Sequence, residues 1–245
     1  MNALRQYRDL TSIQLRSMRD EVPMIAVIQI VLAIGLVAGM GYLIPNITST
    51  SAAFLVTGTA TQSFVTMGLT MLPQLLAQSK AEGRIEYFLT MPISREAYLL
   101  SLITVVAITA LPGVAFTLAF GAWHYGLSFQ FDPAFAAVMV LSVLSLAGVG
   151  VAMAIFSPHQ QLVNAITQMI IFYVLFFSPV LLPAAQLPGF LQQTAWFAPP
   201  TYAADAVRAT LTDLPGTNLG RDLVVMAGFS LASIALSAFA IRRRG

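Results

Sequence analysis

The sequence predicts an all-α, polytopic membrane protein: six transmembrane helices, an amino-terminal amphipathic helix at the interface, and short re-entrant helices before the last span. Two charge-free tracts carry most of that expectation. Between Glu21 and Lys80 lie 58 residues without Asp, Glu, Lys or Arg, and between Asp132 and Asp205 lie another 72. An ionised side chain at the centre of a bilayer costs roughly 2.5–3.5 kcal/mol on insertion scales, so hydrocarbon selects against it. Composition agrees, with 58% of the 245 residues hydrophobic and only 9% charged; soluble domains carry far more charge. Helix is the default for each span, because an unpaired backbone group in lipid costs several kcal/mol.

Residues 1–22 come first. Leu4, Tyr7, Thr11, Leu15, Met18 and Val22 follow a three-four spacing, while Arg5, Arg8, Ser12, Arg16 and Arg19 fall on the other side. That pattern reads as a helix lying on the cytoplasmic membrane surface, either as a lipid anchor or also touching a partner. The segment carries both signs of charge, and the apolar run after it is too long for a signal core, so that run is read as a retained span.

A span needs about 20 apolar residues. Six tracts qualify: Pro23–Ile44, Ala52–Leu76, Ala97–Trp123, Ala134–Phe156, Leu162–Leu182 and Leu223–Ile241. The polar run Pro45–Thr50 separates the first two, and Ser157–Gln161 separates the fourth from the fifth. Spans and short loops take up nearly all of the chain, which leaves one membrane domain over residues 1–245. Arg5, Arg8, Arg16, Arg19, Lys80, Arg84, Arg95 and Arg242–Arg244 all fall on one face of this topology, ten of the twelve basic residues. The positive-inside rule makes that face, and both termini, cytoplasmic.

Residues 78–96 form the one internal connection on that face with charge. Lys80 and Arg84 share a helical face, and Glu82 and Glu86 share another. Tyr87, Phe88, Leu89 and Met91 follow at once. Pro92 then stops the helix, Ser94 is placed to cap the third span, and Glu96 sits in its first turn. One reading is an ordinary turn with a positive-inside signature. The other is a protein contact with an apolar centre and a charged rim. On the opposite face, Pro179, Pro183, Pro188, Pro199 and Pro200 cannot sit in one uninterrupted span. Residues 183–212 are therefore read as short re-entrant helices closing the outer exit, or as an amphipathic loop anchored by Trp196, Phe197 and Tyr202. Asp205 and Arg208 read as an exposed i,i+3 pair.

These segments resemble the membrane subunits of ABC-2-type exporters. Members of that family carry an acidic residue, a glycine, a second acidic residue, a hydrophobic pair and then Pro-x-Ser-Arg between spans two and three. This chain has Glu82, Gly83, Glu86, Phe88, Leu89, Pro92, Ser94 and Arg95 in that order, with Arg84-Ile85 where Thr-Leu is common. After the fifth span the family ends a proline-rich stretch near Asn-Pro-x-Thr-Tyr-x-x-Asp-x-x-Arg, and this chain reads Ala198-Pro199-Pro200-Thr201-Tyr202 to Asp205 and Arg208. Alanine replaces the asparagine.

The resemblance implies that Glu82, Gly83, Glu86, Phe88, Pro92 and Arg95 couple the spans to two separate ABC ATPase subunits. It also implies that Pro183, Pro188, Pro199 and Tyr202 belong to the outer gate, and that a second membrane subunit completes the machine. ATP and Mg would belong to the ATPase, with no cofactor on this chain. The chain's only lysine, Lys80, lacks the glycine-rich context of a P-loop.

Other classes fit less well. An ion-coupled carrier needs ionisable groups inside the membrane, and the six tracts contain none. An intramembrane hydrolase needs a nucleophile and base, or metal ligands, converging at depth; His124 and His159 sit at opposite ends of their spans, so no catalytic or metal site is expected. Cysteine is absent and the net charge of +2 gives no case for nucleic acid. A non-transporting membrane partner or sensor of an ATPase stays open. Gly35 and Gly39 form a GxxxG pattern that permits close helix packing, at a dimer face or within the chain. Met67, Met71, Phe116 and Phe120 read either as bundle core or as the lining of an apolar path. The expected setting is the cytoplasmic membrane of a prokaryote, with an amphipathic cargo (drug, antibiotic or lipid-like) moved outward.

Overall fold

A computed structural model describes residues 3–83, 95–181, 183, 188–189, 192–193, 198–214 and 216–242. All regular structure among them is helical. Eight helices follow in order. They are α1 (Ala3–Ser17), α2 (Val22–Leu43), α3 (residues 49–81), α4 (Arg95–Tyr125), α5 (Ala134–Phe156), α6 (Gln160–Phe177), α7 (Pro199–Leu211) and α8 (Leu219–Arg242). Among the described residues three helical stretches are long and apolar enough to cross a membrane: Val22–Leu43, Ala97–Tyr125 and Ala134–Phe156.

Local chemistry sets the boundaries. α2 starts with Pro23 in its first turn, where a missing N–H costs nothing. It stops at Leu43 because Ile44, lying before Pro45, is extended. Thr48 caps α3, its hydroxyl oxygen accepting from the Ser51 N–H at 3.2 Å. Both α2 and α3 widen into a π turn, at Gly35–Gly39 and Thr66–Met71. The turn in α3 directly precedes Leu72-Pro73, where the proline ring would strike the carbonyl of Leu69 in a tight α-helix. Asp132 turns the chain into α5, its Oδ1 accepting from the Ala134 N–H at 2.7 Å. Asn218 does the same for α8, accepting from the Arg221 N–H.

α3 is the hub of the bundle, packing against α4, α5, α6, α7 and α2. Nearly all of its residues from 52 to 72 are buried. This explains why its middle reads Thr57, Thr59, Thr61, Gln62, Ser63. In the interior its hydroxyls turn back on the helix, Thr57 donating to the Ala53 carbonyl at 2.7 Å and Thr59 to that of Leu55 at 2.8 Å. α3 is long enough to cross a bilayer, at ~1.5 Å per residue, but it is polar where α2, α4 and α5 are apolar. Met67 lies in this core. α5 and α8 form the other close pair, with Ser233 Oγ donating to the Ser145 carbonyl at 3.4 Å.

Three expectations change. The amphipathic segment is helical, but Leu10 and Met18 are buried and the Tyr7 hydroxyl meets Thr104 Oγ1 at 2.7 Å, so α1 rests on α4. Arg5, Arg8, Arg16 and Arg19 stay exposed on its other side. α6 ends five residues before the expected Leu182, because Ser178 is extended ahead of Pro179. α8 begins four residues before Leu223 and so includes Arg221 and Asp222. The Cβ positions of Gly35 and Gly39 meet no atom of this chain within 4 Å.

The helix ends sort into two faces. At one, Lys80 Nζ near the end of α3 donates to the Ser157 carbonyl between α5 and α6 at 2.8 Å. At the other, the Tyr125 hydroxyl at the end of α4 donates to the Val37 carbonyl of α2 at 2.6 Å. There too the Gln130 and Asp132 N–H groups donate to the carbonyls of Leu211 and Thr210 on α7, both at 3.1 Å.

Candidate functional site

The Lys80 face carries the described ends of the segment expected to couple, Glu82 and Gly83 on one side and Arg95 on the other. Glu82 closes α3, exposed, with its Oε1 accepting from Gln78 Nε2 at 2.8 Å. Gly83 follows with φ +70°, the left-handed conformation that stops a helix and that glycine adopts without a Cβ penalty. Glycine here thus has a structural reason of its own, independent of any partner. Arg95 opens α4 on the same face. Glu86, Phe88 and Pro92 lie outside the described residues.

The opposite face holds a site that sequence patterning misread. Arg208 on α7 is only 1% exposed, not part of a solvated pair. Its Nη1 donates to Asp205 Oδ1 at 2.8 Å and to the Pro179 carbonyl at 3.3 Å, and its Nη2 donates to the Val180 carbonyl. The guanidinium carbon stands 3.5 Å from the centre of the Phe54 ring on α3. Room for this comes from Gly58, one turn further along α3: a Cβ there would stand 2.0 Å from the Val180 carbonyl oxygen. One side chain therefore ties α7, the chain after α6, and α3 together. Burial lowers the Arg208 pKa to about 10, while the charge and hydrogen bond of Asp205 oppose the drop. The group stays a cation at neutral pH.

Asp205 also faces α8. Arg221 Nη2 lies 3.9 Å from Asp205 Oδ2 and 2.8 Å from Asp222 Oδ1. Two arginines and two aspartates thus form a chain of opposite charges from α7 to the first turn of α8. This is how buried ions are tolerated: each has an opposite partner. The cluster borders a cavity of about 500 Å³, lined in part by Thr50, Phe54, Pro183, Tyr202 and Arg221.

Of the four expected gate residues, Pro183 and Tyr202 line this cavity. Tyr202 packs its ring 6.3 Å from that of Phe229 on α8. Pro199 starts α7, supplying the first turn, and Pro188 is exposed. Phe54, Arg208, Arg221 and Asp222 are the functional candidates that sequence reasoning missed. The signal for Arg208 was present: it stands alone in an apolar helix, three residues from a carboxylate. Among the described residues no group of acidic residues or histidines is arranged to hold a metal ion.

The arrangement puts a paired-charge clamp at one face and an exposed helix end, closed by Glu82 and Gly83, at the other. No curated protein matches the chain. The family model described as ABC-2 type transporter matches residues 5–212, from α1 through α7, which takes in Glu82, Gly83, Arg95, Asp205 and Arg208 but not Arg221 and Asp222 on α8. With its long apolar helices, this is a multi-pass membrane protein, and it belongs to the ABC-2 type transporter family.

Proposed function

We propose that this chain is the permease subunit of an ATP-driven exporter in a prokaryotic cytoplasmic membrane, moving an amphipathic cargo outward. In this reading α2, α3, α4, α5, α6 and α8 are the six spans, α1 lies at the cytoplasmic side, and both termini are cytoplasmic. Two separate ABC ATPase subunits bind ATP and Mg and hydrolyse the nucleotide. They grip the segment from Glu82 and Gly83 to Arg95, with Glu86, Phe88 and Pro92 between, and a second membrane subunit completes the path. Pro183, Pro188, Pro199 and Tyr202 belong to the outer gate.

The supporting observation is the course of α3. This one helix runs from Glu82 at the Lys80 face to Phe54 and Gly58 under the Arg208 clamp. A push at its inner end is transmitted to the outer cluster because the helix is packed on several sides. The π turn at Thr66–Met71 gives it one place to bend. The cargo assignment rests on the absence of charged side chains from residues 22–79 and 133–204.

The test is Glu82→Lys combined with Glu86→Lys in the reconstituted transporter. Cargo-stimulated ATP hydrolysis should be lost while the protein still inserts. Unchanged stimulation would remove the docking assignment. The rival reading, a sensor that uses the ATPase for signalling, is favoured instead if reconstituted vesicles hydrolyse ATP in response to ligand yet move none.

A further inference from the structure

Two buried side-chain oxygens in the middle of the bundle have no hydrogen-bond partner: Oε1 of Gln29 on α2 and Oε1 of Gln62 on α3. The residues are 4% and 6% exposed. Leaving such a group dry and unpaired costs roughly 1–3 kcal/mol. The Gln29 amide cannot simply turn over. Its Nε2 donates to the Thr109 carbonyl on α4 at 3.0 Å, and the reversed amide would set oxygen against oxygen.

Both glutamines line one small cavity, together with Ser63 and Thr117. α4 approaches closely here because residue 113 is glycine. A Cβ at that position would stand 1.8 Å from Gln29 Oε1 and 2.9 Å from Ser63 Oγ, so these two oxygens are neighbours. Two of the threonines lining the cavity already have acceptors: Thr117 donates to the Gly113 carbonyl at 2.7 Å and Thr59 to that of Leu55 at 2.8 Å. The cavity is about 10 Å³. One water needs roughly 10–15 Å³ and two to four polar partners, so the space matches a single water and excludes a cargo molecule.

We propose that one ordered water occupies this cavity, donating its two protons to Gln29 Oε1 and Gln62 Oε1 and accepting from the Ser63 hydroxyl. The water then bridges α2 and α3 next to the points where each widens into a π turn, at Gly35 and Thr66. A bridging water is nearly as good as a direct hydrogen bond and is exchanged at small cost. The α2–α3 contact can therefore part and re-form as the helices shift, without a packed amide pair having to break.

Two measurements test this on the full chain. In a structure of the membrane-reconstituted protein that shows ordered water, density should appear within hydrogen-bond distance of both glutamine oxygens. An empty cavity, a direct Gln29–Gln62 amide contact, or density too large for water overturns the proposal. In thermal unfolding in detergent, Gln29→Leu and Gln62→Leu should each lower the folded-to-unfolded ratio roughly five- to thirtyfold. The double variant, which leaves no orphan oxygen and fills the cavity, should fall well short of the two effects multiplied. Multiplying effects would show that the two oxygens share no water.

Discussion

The Arg208 guanidinium carbon lies 3.5 Å from the centre of the Phe54 ring, bringing the short helix α7 onto the first turns of α3. A desolvated cation over an aromatic face contributes about 2 kcal/mol. The same guanidinium holds the carbonyls of Pro179 and Val180, so the chain leaving α6 is fixed by the same group.

Arg208→Met should therefore be costly. It strips two backbone carbonyls of their donor and removes one of the two arginines beside Asp205. Asp205 is 27% exposed and keeps Arg221 at 3.9 Å, so the cost falls below that of a fully buried pair, at about 1–3 kcal/mol, which should appear as a lower midpoint of thermal unfolding in detergent. Arg208→Lys should recover only part of the loss, because one ammonium cannot reproduce the planar fork. A midpoint equal to that of the native protein in both variants would mean that the clamp carries no stability.

Gly58→Ala should disturb the same junction from the other side. Its new methyl would meet the Val180 carbonyl oxygen at 2.0 Å, an atom of the backbone that cannot swing aside. Overpacking of this kind costs about 1–3 kcal/mol. Combined with Arg208→Met, the two losses should not add, since both act on the position of residues 179–180; a double-mutant cycle in thermal unfolding measures this.

Tyr7→Phe tests the docking of α1. It deletes the hydroxyl that meets Thr104 Oγ1 and leaves the packing of Leu10 and Met18 in place. The expected loss is about 0.5–1.5 kcal/mol. Because it is confined to α1, hydrogen exchange of residues 5–17 should quicken while that of α3 stays unchanged. Equal exchange in α1 would mean that the helix is held by lipid rather than by α4.

The apolar tracts were legible because they report the solvent, and solvent acts on every residue of a span alike. α2, α4 and α5 follow their sequence limits within about two residues at each end for that reason. α3 was legible as a long helix but not as the hub. Its threonines and glutamine mark a helix surrounded by protein, a fact that depends on neighbours far along the chain. Arg208 was misread on the same ground. Its i,i+3 carboxylate is visible locally, whereas Val180, 28 residues earlier, and Phe54, on another helix, are not. The early start of α8 follows from Asn218 capping, a local signal overshadowed by the charges at 221 and 222 that seemed to mark the membrane edge. Gly83 was picked out by resemblance as a contact, and its positive φ gives it an independent role as a helix stop.

The central claim is that a separate ATPase grips the inner end of α3. The most direct measurement uses the absence of cysteine from the chain. A Glu82→Cys variant carries one thiol, at an exposed position, and can be probed with a membrane-impermeant maleimide. Labelling should occur in inside-out vesicles and not in intact cells, and the bound ATPase subunit should shield it. Labelling from the outside of intact cells, or equal labelling with and without the ATPase, would contradict the account.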